Sequence, residues 1–252
     1  MSTGTARITY LYNSGFAVET DEHLLIFDYC LNTPVGNVRQ LTSGVVTPED
    51  LAAKSSVTVF VSHGHRDHFN AAILRWRVKR KDINFVFSDD IDAAGYAILI
   101  GAGNSINISG MKVTAFSSTD IGVSFLVEVD GLLIFHAGDL NLWNRQVESM
   151  DEKAEKNKFD FRKAKYAFQN ALEPLHGYEL DIAFFPVDPQ IGKNYDSGAI
   201  YFAQTFRPRL FVPMHFGKRY DVCENIASRA YVQGMKVFNI NARGQQFEYK
   251  FP

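Results

Sequence analysis

The sequence predicts a single α/β domain over residues 1–252. Short β-prone runs crowd both ends of the chain, helical stretches are interspersed among them, and no linker, repeat or low-complexity tract divides it. A 46% hydrophobic and 13% aromatic composition suits a globular chain with a sizeable core.

The elements follow in order. Ile8–Tyr12, Gly15–Glu19 and Leu24–Asp28 are strand-like, with turn residues at Asn13-Ser14 and Thr20–His23 between them. Thr47-Pro48 opens a helix, with a capping threonine and proline at the first helical position. Val57–Val61 reads as a buried strand that runs directly into Ser62-His63-Gly64-His65-Arg66-Asp67-His68-Phe69. Asn70 then caps a helix over Ala71–Val78.

Strand signals return at Ile83–Phe87, Lys112–Phe116, Val123–Val129 and Leu132–His136, the last two joined by the hairpin dipeptide Asp130-Gly131. A charged helix is expected from about Glu152 to Leu175, stopped at His176-Gly177. Strands at Asp181–Val187, Leu210–Pro213, Val237–Ile240 and Gln246–Phe251 complete the pattern.

A net charge of -2 gives no overall pull toward nucleic acid or anionic membranes, so neither is expected as a partner. No apolar run approaches the roughly 18 residues of a membrane span, and the first residues lack the basic start and apolar core of a secretory signal. Cys30 and Cys223 form no C-x-x-C pair. These features lead to the expectation of a cytoplasmic, reduced protein.

The chemistry concentrates in one loop. Chance would produce H-x-H-x-D-H in roughly one chain in 3,000 of this length and composition, yet it stands here as His63, His65, Asp67 and His68. Imidazole nitrogens and a carboxylate are the donors that a borderline cation such as Zn²⁺ selects. Histidines at i and i+2 of an extended segment project to one side, and a turn at Gly64 brings Asp67 and His68 round beside them. One loop after a buried strand can thus serve two adjacent metals.

This hexapeptide resembles the signature of the metallo-β-lactamase superfamily. More of the chain agrees: Asp28 after an early strand, Phe135–Asp139 resembling a strand-end G-D motif, and Pro213-Met214-His215-Phe216 resembling a final histidine motif. The short form, with Pro186–Pro189 and Pro213–Gly217 near the end, looks most like the ascorbate-phosphate-lactonase type.

The resemblance implies a four-layer αββα sandwich and one or two divalent cations, zinc or manganese with iron also possible. His63 and His65 would hold the first, Asp67, His68 and His215 the second, with Asp139 between them. Taken alone, Asp139 also reads as a turn residue and His215 as a strand-end histidine. Asp28 is expected to play a supporting or structural part.

One position departs from the family. The third histidine of the first metal is missing, and His136, the sole histidine between His68 and Asp139, is expected to face away from Asp139 across the strand. Asp120, in Ser117–Gly122, can replace it or can simply shape a turn before Val123.

The expected activity is metal-assisted hydrolysis of a small ester, lactone or phosphorylated metabolite, with Asp67 orienting the water and accepting its proton. No G-x-S-x-G elbow or glycine-rich phosphate loop suggests another chemistry. The alternatives are a metal-binding scaffold with a degenerate first site, or a phosphodiesterase or nuclease of the same superfamily.

Several residues carry a functional and a bland reading side by side. Trp143, between Asn141 and Asn144, walls a pocket or anchors the core; Asp188 reaches the site or shapes its two-proline turn. Lys193, Tyr195, Lys218 and Arg219 bind an anionic group or lie on the surface. Arg75, Arg77, Lys79, Arg80 and Lys81 grip phosphate or RNA, or form the exposed face and end of a helix. His23 and His176 read as turn and helix-end residues.

Overall fold

Residues 4–93, 95–143, 153–231 and 234–252 are described by a computed structural model. Among them the strands form two seven-stranded sheets. The first contains β1 (Gly4–Tyr12), β2 (Gly15–Glu19), β3 (His23–Phe27), β4 (Ser56–Val61), β5 (Asn84–Ser88), β6 (Ile98–Ile100) and β14 (Gln246–Phe251), in the order β14-β1-β2-β3-β4-β5-β6. The second contains β7 (Ser105–Ile108), β8 (Met111–Ser117), β9 (Val123–Val129), β10 (Leu132–His136), β11 (Ile182–Pro186), β12 (Leu210–Met214) and β13 (Lys236–Val237), running β13-β12-β11-β10-β9-β8-β7.

Each sheet changes from antiparallel hairpins to parallel pairing part-way across: at β3–β4 in the first and at β10–β11 in the second. The parallel strands need helical crossovers, and these lie on the outer faces. α1 (Pro48–Ala52) precedes β4 and starts as expected, with Asp50 N donating to Thr47 Oγ1 at 3.3 Å and Thr47 N donating back to Asp50 Oδ2 at 2.8 Å. α2 (Lys153–Leu172) and α3 (Ser197–Phe206) cover the second sheet: Phe168 and Phe202 pack on Phe185 with ring centroids 6.2 and 4.4 Å apart. α4 (Asp221–Tyr231) leads into β13.

The burial pattern of β4 shows how the layers form. Val57, Val59 and Val61 pack outward with Leu51 and Ile73, while Phe60 points inward and meets Phe125 of the other sheet at 5.4 Å. Phe16 and Phe27 likewise meet Phe184 across the sandwich at 4.6 and 5.9 Å. Helix, sheet, sheet and helix make the four-layer αββα sandwich that the resemblance implied.

Some elements differ from expectation. Ala71–Val78 has the expected extent and Asn70 cap, but it winds as a 3-10 helix. That tighter winding stacks residues three apart, so buried Ile73 and Trp76, edge-on to Tyr29 at 5.0 Å, share the core-facing side. α3 has no counterpart in the sequence reading: its preceding residue, Asp196, pairs with Arg229 and makes no side-chain cap. α4, β6 (Ile98–Ile100) and β7 (Ser105–Ile108) likewise lie where the sequence predicts no element. The strand expected at Val237–Ile240 is instead the shorter Lys236–Val237, although Phe238 N still bonds Phe211 O at 2.9 Å. The expected start of the long helix at Glu152 lies outside the described residues.

The Asp130-Gly131 hairpin is as expected, with both residues at positive φ, 50° and 79°. At this end His23 does more than turn the chain. Its Nδ1 lies 2.8 Å from Asp130 Oδ2 and its Nε2 2.9 Å from Ser109 O, latching the two sheets together. Arg80 of the basic run is committed to the carbonyls of Leu51, Lys54 and Ser55, and Arg77 lies over the Phe85 ring at 5.1 Å. Among the described residues, no helix is long and apolar enough to cross a membrane.

Candidate metal centre

The carboxyl ends of β3, β4, β10, β11 and β12 bring the chemistry-bearing residues to one rim of the sandwich, where parallel α/β sheets usually build their sites. Asp28 follows β3 in the left-handed region, φ 43°, as does His215 after β12, φ 61°. That backbone costs about 1–3 kcal/mol in a non-glycine residue and persists where surroundings over-determine it.

Asp28 shows what holds it. Its buried carboxylate accepts from Ser62 N at 2.8 Å and Ser62 Oγ at 2.7 Å, and stands 2.7 Å from His68 Nδ1. It thereby ties the end of β3 to both ends of the histidine loop.

The loop turns back as expected, but the hydrogen-bonded turn closes on His65 and not on Gly64. His68 N and Phe69 N both donate to His65 O, at 3.0 and 2.9 Å, so the chain doubles back and sets His68 against His63, ring centroids 4.0 Å apart. His63 and His68 end fully buried; His65 and Asp67 face solvent. Gly122 passes beneath, its neighbour Val123 N donating to Ser62 O at 2.9 Å.

Asp139 lies at the centre. Its Oδ1 stands 3.0 Å from His68 Nε2 and 3.3 Å from His215 Nε2, and its Oδ2 stands 3.4 Å from His63 Nε2. Asp67 Oδ2 lies 3.3 Å from His215 Nε2 and 3.6 Å from His68 Nε2. Three groups of donors have atoms within 4.8 Å of one another: His63, His68 and Asp139; Asp67, His68 and His215; His65, Asp120 and Asp139. All seven expected positions therefore converge, Asp120 included.

The donor set fits a cation. Nε2 of His63, His68 and His215 and Oδ1 of Asp139 are buried and make no hydrogen bond. Such orphaned atoms are costly unless something else satisfies them. Behind two of them the other ring nitrogen is engaged, with Ser62 Oγ 3.1 Å from His63 Nδ1 and Asp28 2.7 Å from His68 Nδ1; His215 Nδ1 makes no hydrogen bond but stands 3.2 Å from Asp188 Oδ2, an ion-pair distance. Carboxylates behind imidazoles fix the ring and raise its basicity as a ligand.

The electrostatics follow from this crowding. Burial raises the Asp139 carboxyl, but His68, His215 and His63 outweigh it and hold it down at about 2. Asp67 is held below the usual carboxylate range chiefly by His215. Burial works against charging His68 and His215, yet Asp28 and Asp139 push the first up to about 10, and Asp188, Asp67 and Asp139 push the second up to about 9. Burial and the neighbouring His68 lower His63.

His136 is not available as a ligand. Its Nδ1 accepts from Gly138 N at 3.3 Å and its Nε2 donates to Ser14 O at 2.9 Å, with the ring stacked on Phe27 at 4.9 Å. β10 ends at His136, so Asp139 lies in the turn beyond the strand and strand alternation does not relate the two.

Trp143 walls the site: its indole N–H donates to Asp139 O at 2.9 Å and its ring meets His215 edge-on at 5.8 Å. Asn144 lies outside the described residues. Asp188 both approaches His215 and caps the turn through Gln190 N at 2.8 Å. Of the basic candidates, Arg219 is turned to Asp221 at 2.7 Å, Tyr195 Oη accepts from Asn225, and Lys193 and Lys218 are exposed. Sequence reasoning missed Asn13, whose side chain donates to Asp67, and the close approach of Gly122; neither has a local signal beyond a turn residue.

Comparison with known proteins gives a consistent result. Residues 7–155, more than half of the chain, match the β-lactamase superfamily domain. A UPF0173 metal-dependent hydrolase of Rubrobacter xylanophilus is 26% identical over 237 residues, covering 85% of this chain and 83% of that one. One from Methanosarcina barkeri is 28% identical over 158 residues, which span 54% of this chain and 62% of the relative, under two thirds of its length. The structure of the metallo hydrolase Igni18 from Ignicoccus hospitalis superposes with a TM-score of 0.65 at 19% identity, covering 98% of this chain and 100% of that one. The family match and the shared fold agree, and the chain belongs to the β-lactamase superfamily, in its metallo-β-lactamase fold.

Proposed function

We propose that this metal-dependent hydrolase holds one or two divalent cations at the rim and hydrolyses a small ester, lactone or phosphorylated metabolite. In this reading His63, His65 and Asp120 hold the first cation, Asp67, His68 and His215 the second, and Asp139 lies between. The observation that carries it is the set of buried, unpartnered imidazole and carboxylate atoms facing one another. Nitrogen and oxygen donors of this kind suit zinc or manganese, and iron as well.

When bound, such a cation supplies Lewis-acid chemistry, lowering the pKa of a coordinated water toward about 7 and polarising the bond to be cleaved. The side chains do the rest. In this reading Asp67, half exposed and 3.3 Å from His215 Nε2, orients the attacking water and takes its proton. Trp143 shields His215 from bulk solvent on one side and offers an apolar wall to substrate. Cys30 is no rival nucleophile, since burial and the Asp28 and Asp67 carboxylates push its thiol up to about 12.

The test is metal content together with hydrolysis of a panel of esters, lactones and phosphoesters. Chelation should abolish activity, Zn²⁺ or Mn²⁺ should restore it, and Asp67→Ala should lower kcat about 100-fold or more. Undiminished hydrolysis by metal-free protein would overturn the reading.

A further inference from the structure

We infer that Asn13 is a positioning residue for the Asp67 carboxylate, a role that rests on the metal reading above. Asn13 lies in the β1–β2 turn, 6% exposed, with φ 54°. Its backbone N donates to Tyr10 Oη at 2.9 Å and its carbonyl accepts from His215 N at 3.1 Å. Its side chain spans two loops: Oδ1 accepts from Gly217 N at 3.3 Å and Nδ2 donates to Asp67 Oδ2 at 3.2 Å. One residue thus joins the histidine loop to the turn that carries His215.

The orientation of the amide is forced. Gly217 N can only donate, so it fixes the amide oxygen on its side and leaves the NH₂ group toward the carboxylate. Asp67 needs such a guide because it is half exposed on a loop, while its proposed partners His68 and His215 are buried. An amide is also the right kind of guide. Lysine or arginine here would pair with the carboxylate and compete with a cation, whereas a neutral donor orients Asp67 and leaves its charge available.

Two substitutions separate this role from simple support of the 215–217 turn. Asn13→Gly tolerates the positive φ and keeps both main-chain bonds but deletes the amide. Asn13→Asp keeps the shape and the acceptor for Gly217 N but sets a second carboxylate against Asp67. Chelated protein is titrated with Co²⁺, and the visible band that Asp67→Ala removes identifies the cation bound by Asp67.

Both Asn13 variants should bind that cation about 10- to 100-fold more weakly, with an altered band, while Asn13→Asp unfolds at close to the wild-type temperature. Wild-type cobalt affinity and spectrum in Asn13→Asp would show that Asn13 serves only the Gly217 turn, and would overturn the inference. Cobalt uptake indifferent to Asp67→Ala would instead sink the metal reading itself, and the inference with it.

Discussion

Nδ1 of His215 stands 3.2 Å from Oδ2 of Asp188, one carboxylate and one imidazole just beyond the ends of neighbouring parallel strands. The register makes them neighbours: Pro186 of β11 pairs with Met214 of β12, so the next turns leave the sheet side by side. Asp188 spends its other oxygen on Gln190 N at 2.8 Å, which fixes its direction. Asp188→Ala should therefore weaken cation binding about 10- to 100-fold. Asp188→Asn keeps an acceptor for Gln190 but loses the charge, so it should retain the turn and still bind more weakly. Chelator competition on both variants, beside their thermal unfolding, reads the two effects separately.

The same crowding sets a pH dependence. In the metal-free protein His68 and His215 titrate at about 10 and about 9, above their ordinary 6.5. Their pairing stabilises the fold fully below about pH 6.5, and that contribution is lost as pH rises through 9 and 10. Asp139 has the opposite sign: its contribution is present above its ordinary 3.8 and lost as pH falls through about 2. Metal-free protein should accordingly lose stability toward alkaline pH. A cation must displace the protons of His68 and His215, so binding should tighten by up to about tenfold per pH unit for each displaced proton. Calorimetry in buffers of different ionisation enthalpy counts those protons; equal affinity at pH 6 and pH 8 would contradict the assignment.

Much of this centre could be read from the chain because its parts are local. His63 to His68 lie within one turn, and Asp28, Asp139 and His215 each follow a strand recognisable by its apolar run. Asp188 carries two sequence readings because it has two oxygens, one capping the turn at Gln190 N and the other 3.2 Å from His215 Nδ1. Asn13 and Gly122 escaped because their roles exist only across the fold, with Asn13 reaching 54 positions to Asp67 and 204 to Gly217. α3 escaped although Asp196, a capping type of residue, stands just before it; in the fold that carboxylate is spent on Arg229, 33 positions away, and not on the helix end.

Gly122 makes the sharpest stability prediction. At φ 82° an added Cβ would lie 2.1 Å from Ser62 O and 2.5 Å from His63 Cβ, contacts that neither backbone nor ring base can yield cheaply. Left-handed strain of about 1–2 kcal/mol and overpacking of about 1–3 kcal/mol make Gly122→Ala destabilising by roughly 2–5 kcal/mol. Because the clash falls on Ser62 and His63, metal affinity should fall with stability. An unfolding free energy, from denaturant titration, within about 0.5 kcal/mol of wild type would refute the close approach.

The proposed ligand role of Asp120 can be tested at the first cation. The exposed loop that carries it is pinned: Thr119 Oγ1 donates to Asn141 O at 2.6 Å and Asn141 N donates back to Thr119 Oγ1 at 2.9 Å, holding it against the Asp139 turn. That brings Asp120 into one group with His65 and Asp139, beside His63, so that in the proposed assignment a carboxylate stands where the family has a third imidazole. Oxygen-rich donor sets favour manganese or iron relative to zinc, which is better served by imidazole. Asp120→Ala should thus shed one cation per chain on dialysis while the His215 site stays loaded. Asp120→His should keep both and shift the first toward zinc when Zn²⁺ and Mn²⁺ compete. Elemental analysis of the dialysed variants measures each outcome; two tightly held zincs in Asp120→Ala, as in the wild type, would leave Asp120 a turn residue and the first cation dependent on other donors.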